Sequence, residues 1–226
     1  MRDRFDRKLN ELRDDILKMG SMVEDELKLA LKAYEALDTA LAHQVYDADK
    51  AVNEMRFVIE EKCFELIVTQ QPAARDLRAI VAVMNMIVDM ERMGDQAKGI
   101  ARIIGRLVEH PKRPQPPEFK QMGHLVIGML HQTLTAYAQN DVALAQLVAG
   151  QDDEVDALYA QVYTQIMDSM AQTKKADKVQ ASYDVLRSAR ELERFGDLAT
   201  NVAERVIYIV TGKIADTNIN RDTTAE

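Results

Sequence analysis

Glu91-Arg92-Met93-Gly94-Asp95 returns 102 positions later as Glu193-Arg194-Phe195-Gly196-Asp197. Across residues 91–101 and 193–203, six of eleven residues are identical: Glu, Arg, Gly, Asp and two Ala. Met93 against Phe195 and Ile100 against Val202 keep an apolar side chain. A repeat at almost half the chain length, with a glycine kept inside a helical pattern, indicates an internal duplication. Each half thus carries a Glu and an Asp four residues apart, and their surroundings decide what they do.

Upstream of the first copy, Leu77, Val81, Met84 and Val88 follow at three–four spacing, and the next two positions of that stripe are Glu91 and Asp95. Apolar spacing resumes at Ile100, Ile104 and Leu107, which predicts a helix from near Ala73 to His110. Two earlier seams precede it. Leu9, Leu12, Ile16, Met19, Val23, Leu27, Ala30, Tyr34 and Leu37 predict a first long helix, with Gly20-Ser21 as a place for it to bend. Leu41, Val45, Ala48, Val52, Met55, Ile59 and Leu66 predict a second, capped by Asp38-Thr39 and ended by the reversal at Gln70-Gln71-Pro72.

Pro111, Pro114, Pro116 and Pro117 are four of the five prolines in the chain and interrupt any helix. Downstream the scheme repeats: a helix over 118–139, one from about 141 to 173, a polar turn at Lys174-Lys175-Ala176-Asp177, and a helix to about Val210 stopped by Gly212. The expected fold is all-α: two tandem antiparallel three-helix bundles, end to end or side by side. The first spans 1–110, a linker 111–117, the second 118–212, and a polar tail 213–226.

Composition supports this class. The 226 residues have few Gly and Pro, no Trp, and abundant helix formers. Net charge is −8, with no block of Lys and Arg dense enough for a nucleic-acid backbone. The N-terminus alternates charges without a signal-peptide core, and the longest apolar run, Ala79 to Val88, is half a membrane span. The lone Cys63 fits a reducing, cytoplasmic setting and reads as a small buried apolar residue. His43, His110, His124 and His131 show no ligand spacing with an acid and read as surface or boundary residues.

Counting outward from each reversal sets heights on neighbouring antiparallel helices. Asp49 falls level with Asp95 and Asn53 with Glu91; Asp152 falls level with Asp197 and Asp156 with Glu193. Carboxylates at i and i+4 lie about 5–6 Å apart and repel. Such groups call for protonation, a Lys or Arg, or a bound cation. All-oxygen ligands suit Mg, Mn, Ca or iron better than zinc. The plainer reading is a solvated charged face. Lys98 can neutralise the first site itself, whereas the second offers Asp152, Asp156, Glu193 and Asp197 with Asn201 one turn beyond. Arg92 and Arg194 are placed to pair along the rims. Gly94 and Gly196 admit either a close helix contact or an ion cluster.

These stretches resemble the PhoU family of phosphate-signalling regulators over residues 1–213. The match lies in both acidic motifs, in Arg190 to Glu204 around the second, in Gln70-Gln71-Pro72-Ala73-Ala74-Arg75-Asp76-Leu77-Arg78 and in the closing Tyr208 to Gly212. The resemblance implies a cytoplasmic, often homodimeric protein whose acidic motifs hold metal clusters. It implies two partners, the ATPase of the phosphate ABC transporter and the phosphate-regulon sensor histidine kinase, with the membrane met only through them. The family motif ends in an Asn four residues past the Asp; Asn201 fits, but Gly99 replaces it in the first half. The expected role is a non-enzymatic adaptor that represses phosphate signalling. One rival, a ferritin-type di-iron or di-manganese protein, needs Glu-x-x-His, which no His here supplies. The other is a passive helical scaffold. No nucleophile triad or Walker motif is present.

Overall fold

The computed structural model describes residues 2–213, with side chains from Phe5 onward. Except for Lys213, the expected tail lies outside the described residues. Seven helices and no strand occur among the described residues: α1 (Arg2–Ala36), α2 (Thr39–Gln70), α3 (Ala74–Leu107), α4 (Pro117–Gln139), α5 (Val142–Gly150), α6 (Asp152–Ala171) and α7 (Ala176–Thr211). No helix among them is long and apolar enough to cross a membrane.

Local signals set the helix ends. Asp38 Oδ1 accepts from the amides of Ala40 (2.8 Å) and Leu41 (3.0 Å), supplying partners that the first turn of α2 lacks. Asp141 does the same for Leu144 (3.0 Å) at the start of α5. Gly212, with φ 74°, ends α7 in the left-handed conformation that glycine adopts without strain, and its amide reaches the Tyr208 carbonyl at 2.9 Å. Arg78 lies against Gly212 and 5.8 Å above the Tyr208 ring, so the start of α3 and the end of α7 meet.

The halves lie side by side. α3 and α7 form the broadest helix pair, α1 crosses α4, and α2 and α5–α6 flank this centre. Both central pairs run antiparallel. In α3–α7, Arg106 grips the buried Asp184 through Nη2 (2.6 Å) and Nε (3.1 and 3.2 Å). In α1–α4, Arg13 donates to the carbonyls of Tyr137 and Ala138. Two glycines interlock the latter pair: the Leu134 side chain fills the space a Cβ on Gly20 would need, and Leu31 comes within 2.8 Å of a Cβ on Gly123. Thus α1 is unbroken at Gly20-Ser21, and the glycine serves close helix approach rather than a bend.

Two further expectations need correction. The second helix of the second half is split: Gln151, between α5 and α6, leaves the helical ladder for a turn. The core-facing stripe of α3 is also displaced, because Leu77 and Val81 are exposed while Ile80, Val83, Met86, Met90, Met93 and Ala97 are buried. α3 contacts α1, α2 and α7, so most of its circumference is apolar and spacing alone selects the wrong face. Glu91 and Asp95 therefore continue the outer stripe, at the rim of the bundle. Cys63 is buried, and burial pushes its thiol up to about 12.

Candidate carboxylate sites

In the first half, α2 delivers Asp49 into the core and α3 brings Asp95 and Lys98 beside it. The Lys98 ammonium donates to Asp49 Oδ2 at 2.6 Å and lies 3.6 Å from Asp95 Oδ1. That hydrogen bond raises the Lys98 pKa. Asn53 Nδ2 also donates to Asp49 Oδ2, at 3.3 Å, rather than reaching Glu91. Burial, and then repulsion from Asp95, raises the Glu91 carboxyl above its ordinary value. Lys98 occupies the position a cation would take, as its sequence position one turn beyond Asp95 suggests.

A residue absent from the sequence reading completes this site. Glu26 of α1 is buried, and neither carboxyl oxygen has a hydrogen-bond partner. One oxygen lies 3.0 Å from where a Cβ on Gly94 would stand. Burial, then the charge of Asp49, pushes its pKa up to about 9, so the group is protonated at neutral pH. The available signal was its place three residues after Val23 in the α1 seam, beside the Leu27 that the spacing favoured.

The second half keeps the scaffold and changes the charges. Val155 and Val126 stand about Gly196 as Val52 and Glu26 stand about Gly94. Thr200 replaces Lys98 and Asp156 replaces Asn53. The break at Gln151 puts the buried Asp152 in the first turn of α6, the end of a helix whose dipole favours an anion. Burial, then Asp197, raises Glu193 to about 7. Burial, then Asp152 and Asp156, raises Asp197 to about 6. The heights anticipated for Asp152, Asp156, Glu193 and Asp197 thus bring these four into mutual repulsion. Asn201 sits half-buried one turn beyond Asp197.

Of the rim arginines, Arg92 pairs as expected, with Asp89 at 3.9 Å, whereas Arg190 rather than Arg194 pairs with Glu193, at 2.6 Å. At Gly99, the counterpart of Asn201 in the second half, Glu191 of α7 fills the space to within 2.9 Å of a would-be Cβ. His131 lies 3.3 Å from Glu24, a contact that sequence spacing did not reveal.

The side chains as placed do not form a finished metal cage: no set of three or more His, Cys, Asp or Glu among the described residues is arranged to hold an ion. The donor chemistry still fits a hard cation better in the second half. Glu193 Oε2 is buried without a hydrogen-bond partner, and no lysine stands where Lys98 does.

A tandem repeat of antiparallel helices, with paired acids on matching rims and halves joined across α3–α7, defines the class: a duplicated all-α protein. The PhoU domain matches residues 16–104 and again 119–206. A phosphate-specific transport system accessory protein PhoU homolog from Clostridium acetobutylicum is 36% identical over 95% of this chain and 97% of its own length. The crystal structure of PhoU from Pseudomonas aeruginosa superposes with a TM-score of 0.87 at 34% identity, covering 92% of this chain and all of that one. The phosphate transport system regulatory protein PhoU from Streptococcus pneumoniae gives 0.84 at 30% identity, over 94% and 99%. The chain belongs to the PhoU family.

Proposed function

We propose that this chain is a non-enzymatic accessory protein of phosphate-specific transport that represses phosphate-regulon signalling and restrains uptake when phosphate is plentiful. The observation that carries this reading is similarity over 95% of the chain to a protein named for that accessory role. Its partners are the ATPase subunit of the phosphate ABC transporter and the sensor histidine kinase of the regulon. It works in the cytoplasm as a homodimer and meets the membrane through those partners.

In this reading the second carboxylate site holds a divalent or trivalent ion, iron, Mn or Mg rather than Zn, through Asp152, Asp156, Glu193, Asp197 and Asn201. The ion supplies positive charge that ties α6 to α7. The first site, with Asp49, Asn53, Glu91 and Asp95, is largely served by Lys98. Support comes from the raised Glu193 and Asp197 carboxyls and the unpartnered Glu193 oxygen.

The test is deletion of the gene in phosphate-rich medium, read by a phosphate-regulon reporter and by phosphate uptake. Both should rise and return to normal when the wild-type gene is restored. A silent reporter with unchanged uptake overturns the proposal.

A further inference from the structure

We propose that the open cleft between α1, the proline-rich linker and α4 binds a nucleoside phosphate. This goes beyond the adaptor reading and rests on neither its metal nor its signalling component. The cavity holds about 510 Å³, within the roughly 300–1,000 Å³ of small-molecule sites. Tyr34 of α1 and Phe119 of α4 border one wall; they are buried and stack on each other with centroids 4.5 Å apart and planes at 29°. Leu31 and Ile127 extend that apolar surface.

Charge around the cavity opposes the balance of the whole chain. Lys28, Lys32, Arg113 and Lys120 line it with a single carboxylate, Glu35, in a protein of net charge −8. Lys28 is held by Glu24 at 2.6 Å and Lys120 by Glu35 at 3.3 Å. Lys32 has no ion pair among the described residues and is exposed at the rim, as is His124.

Arg113 is the decisive residue, because it is only 7% exposed yet incompletely satisfied. Its Nη2 donates to the Tyr34 carbonyl at 2.9 Å, and its guanidinium carbon lies 4.9 Å from the Tyr34 ring centre. Its Nε is buried with no hydrogen-bond partner. A desolvated donor without an acceptor is unfavourable, and an anionic oxygen in the cavity satisfies it. A bare inorganic anion would leave the apolar lining of Leu31, Ile127, Pro116 and Pro117 unused; a neutral apolar molecule would leave Arg113 and Lys32 unmatched. A multiply charged head on a flat heteroaromatic body meets both surfaces. Since α1 belongs to the first repeat and α4 to the second, such a ligand touches both at once.

Calorimetric titration of the full chain with ADP, adenosine and inorganic phosphate, each in EDTA to silence metal sites, tests this. ADP should bind with a Kd of about 1 mM or tighter, and the other two at least about tenfold more weakly. Lys32→Glu and His124→Glu, both at exposed positions, should each weaken ADP about tenfold while circular dichroism stays unchanged. The proposal is overturned if ADP gives no binding, if neither variant alters it, or if adenosine or inorganic phosphate binds as tightly as ADP.

Discussion

The two repeats place acids on the same scaffold and balance them differently. In the first, Lys98 reaches Asp49 at 2.6 Å, Asn53 joins it, and Glu26 is held protonated by burial. In the second, Thr200 stands for Lys98, Val126 for Glu26 and Asp156 for Asn53, and the α5–α6 break lends Asp152 a helix N-terminus. A duplicated backbone therefore conserves where charge sits without conserving how it is neutralised. Response to cations should concentrate in the second half, and dependence on an internal ion pair in the first.

The sharpest way to break this contrast is Lys98→Met, which strands a buried Asp49. We expect a loss of about 3 kcal/mol in urea unfolding without metal, partly recovered by Mn(II). A loss below about 1 kcal/mol would mean that water already serves Asp49. Next in size is the metal response of the wild type. Mn(II) at a hundred times its Kd should add about 2.7 kcal/mol, roughly 5–10 °C in Tm. Glu193→Ala with Asp197→Ala should erase the gain, whereas Glu91→Ala with Asp95→Ala should keep most of it. Undiminished Mn(II) or iron binding by the first double variant would sink the second-half site.

Proton linkage is a separate lever. Glu26 has its folded pKa raised from 4.5 to about 9, so the folded state binds an extra proton between those values. Its contribution is complete below about pH 4.5 and is lost as pH rises toward 9. Glu193 and Asp197, also raised, add the same sign up to about 7 and about 6. Glu26→Gln should flatten the fall in urea midpoint between pH 5.5 and 8; an unchanged slope would refute a buried neutral acid. The smallest effect separates the two motif glycines. Gly196→Ala meets Val155 and Val126 at ordinary contact, 3.4–3.5 Å, and should gain up to about 1 kcal/mol. Gly94→Ala meets Glu26 Oε2 at 3.0 Å and should gain nothing or lose stability. Equal thermal shifts for both would erase that distinction.

The all-α class, the repeat, the reversal at Pro72 and the proline linker were legible because spacing, capping and proline chemistry are local. So were the four second-half acids, whose levels follow from helix rise and turn position. The break at Gln151 was hidden because Val148 and Val155 keep the apolar spacing across it. The inner face of α3 was misassigned because three neighbours make several stripes apolar. Glu26, Glu191 and Arg113 escaped notice for a common reason: each acts on residues distant in the chain, through helix crossings or a linker path that no local pattern encodes.

The reciprocal fit of Leu134 over Gly20 and Leu31 over Gly123 bears on how the two halves can diverge. Each leucine occupies the volume its opposing glycine forgoes. A larger residue at 20 or 123 pushes on the δ-carbons of Leu134 or Leu31, the ends of flexible side chains, so its cost is set by how well those leucines repack. The seam between the halves therefore tunes by side-chain adjustment, whereas the rims change by exchange of charge.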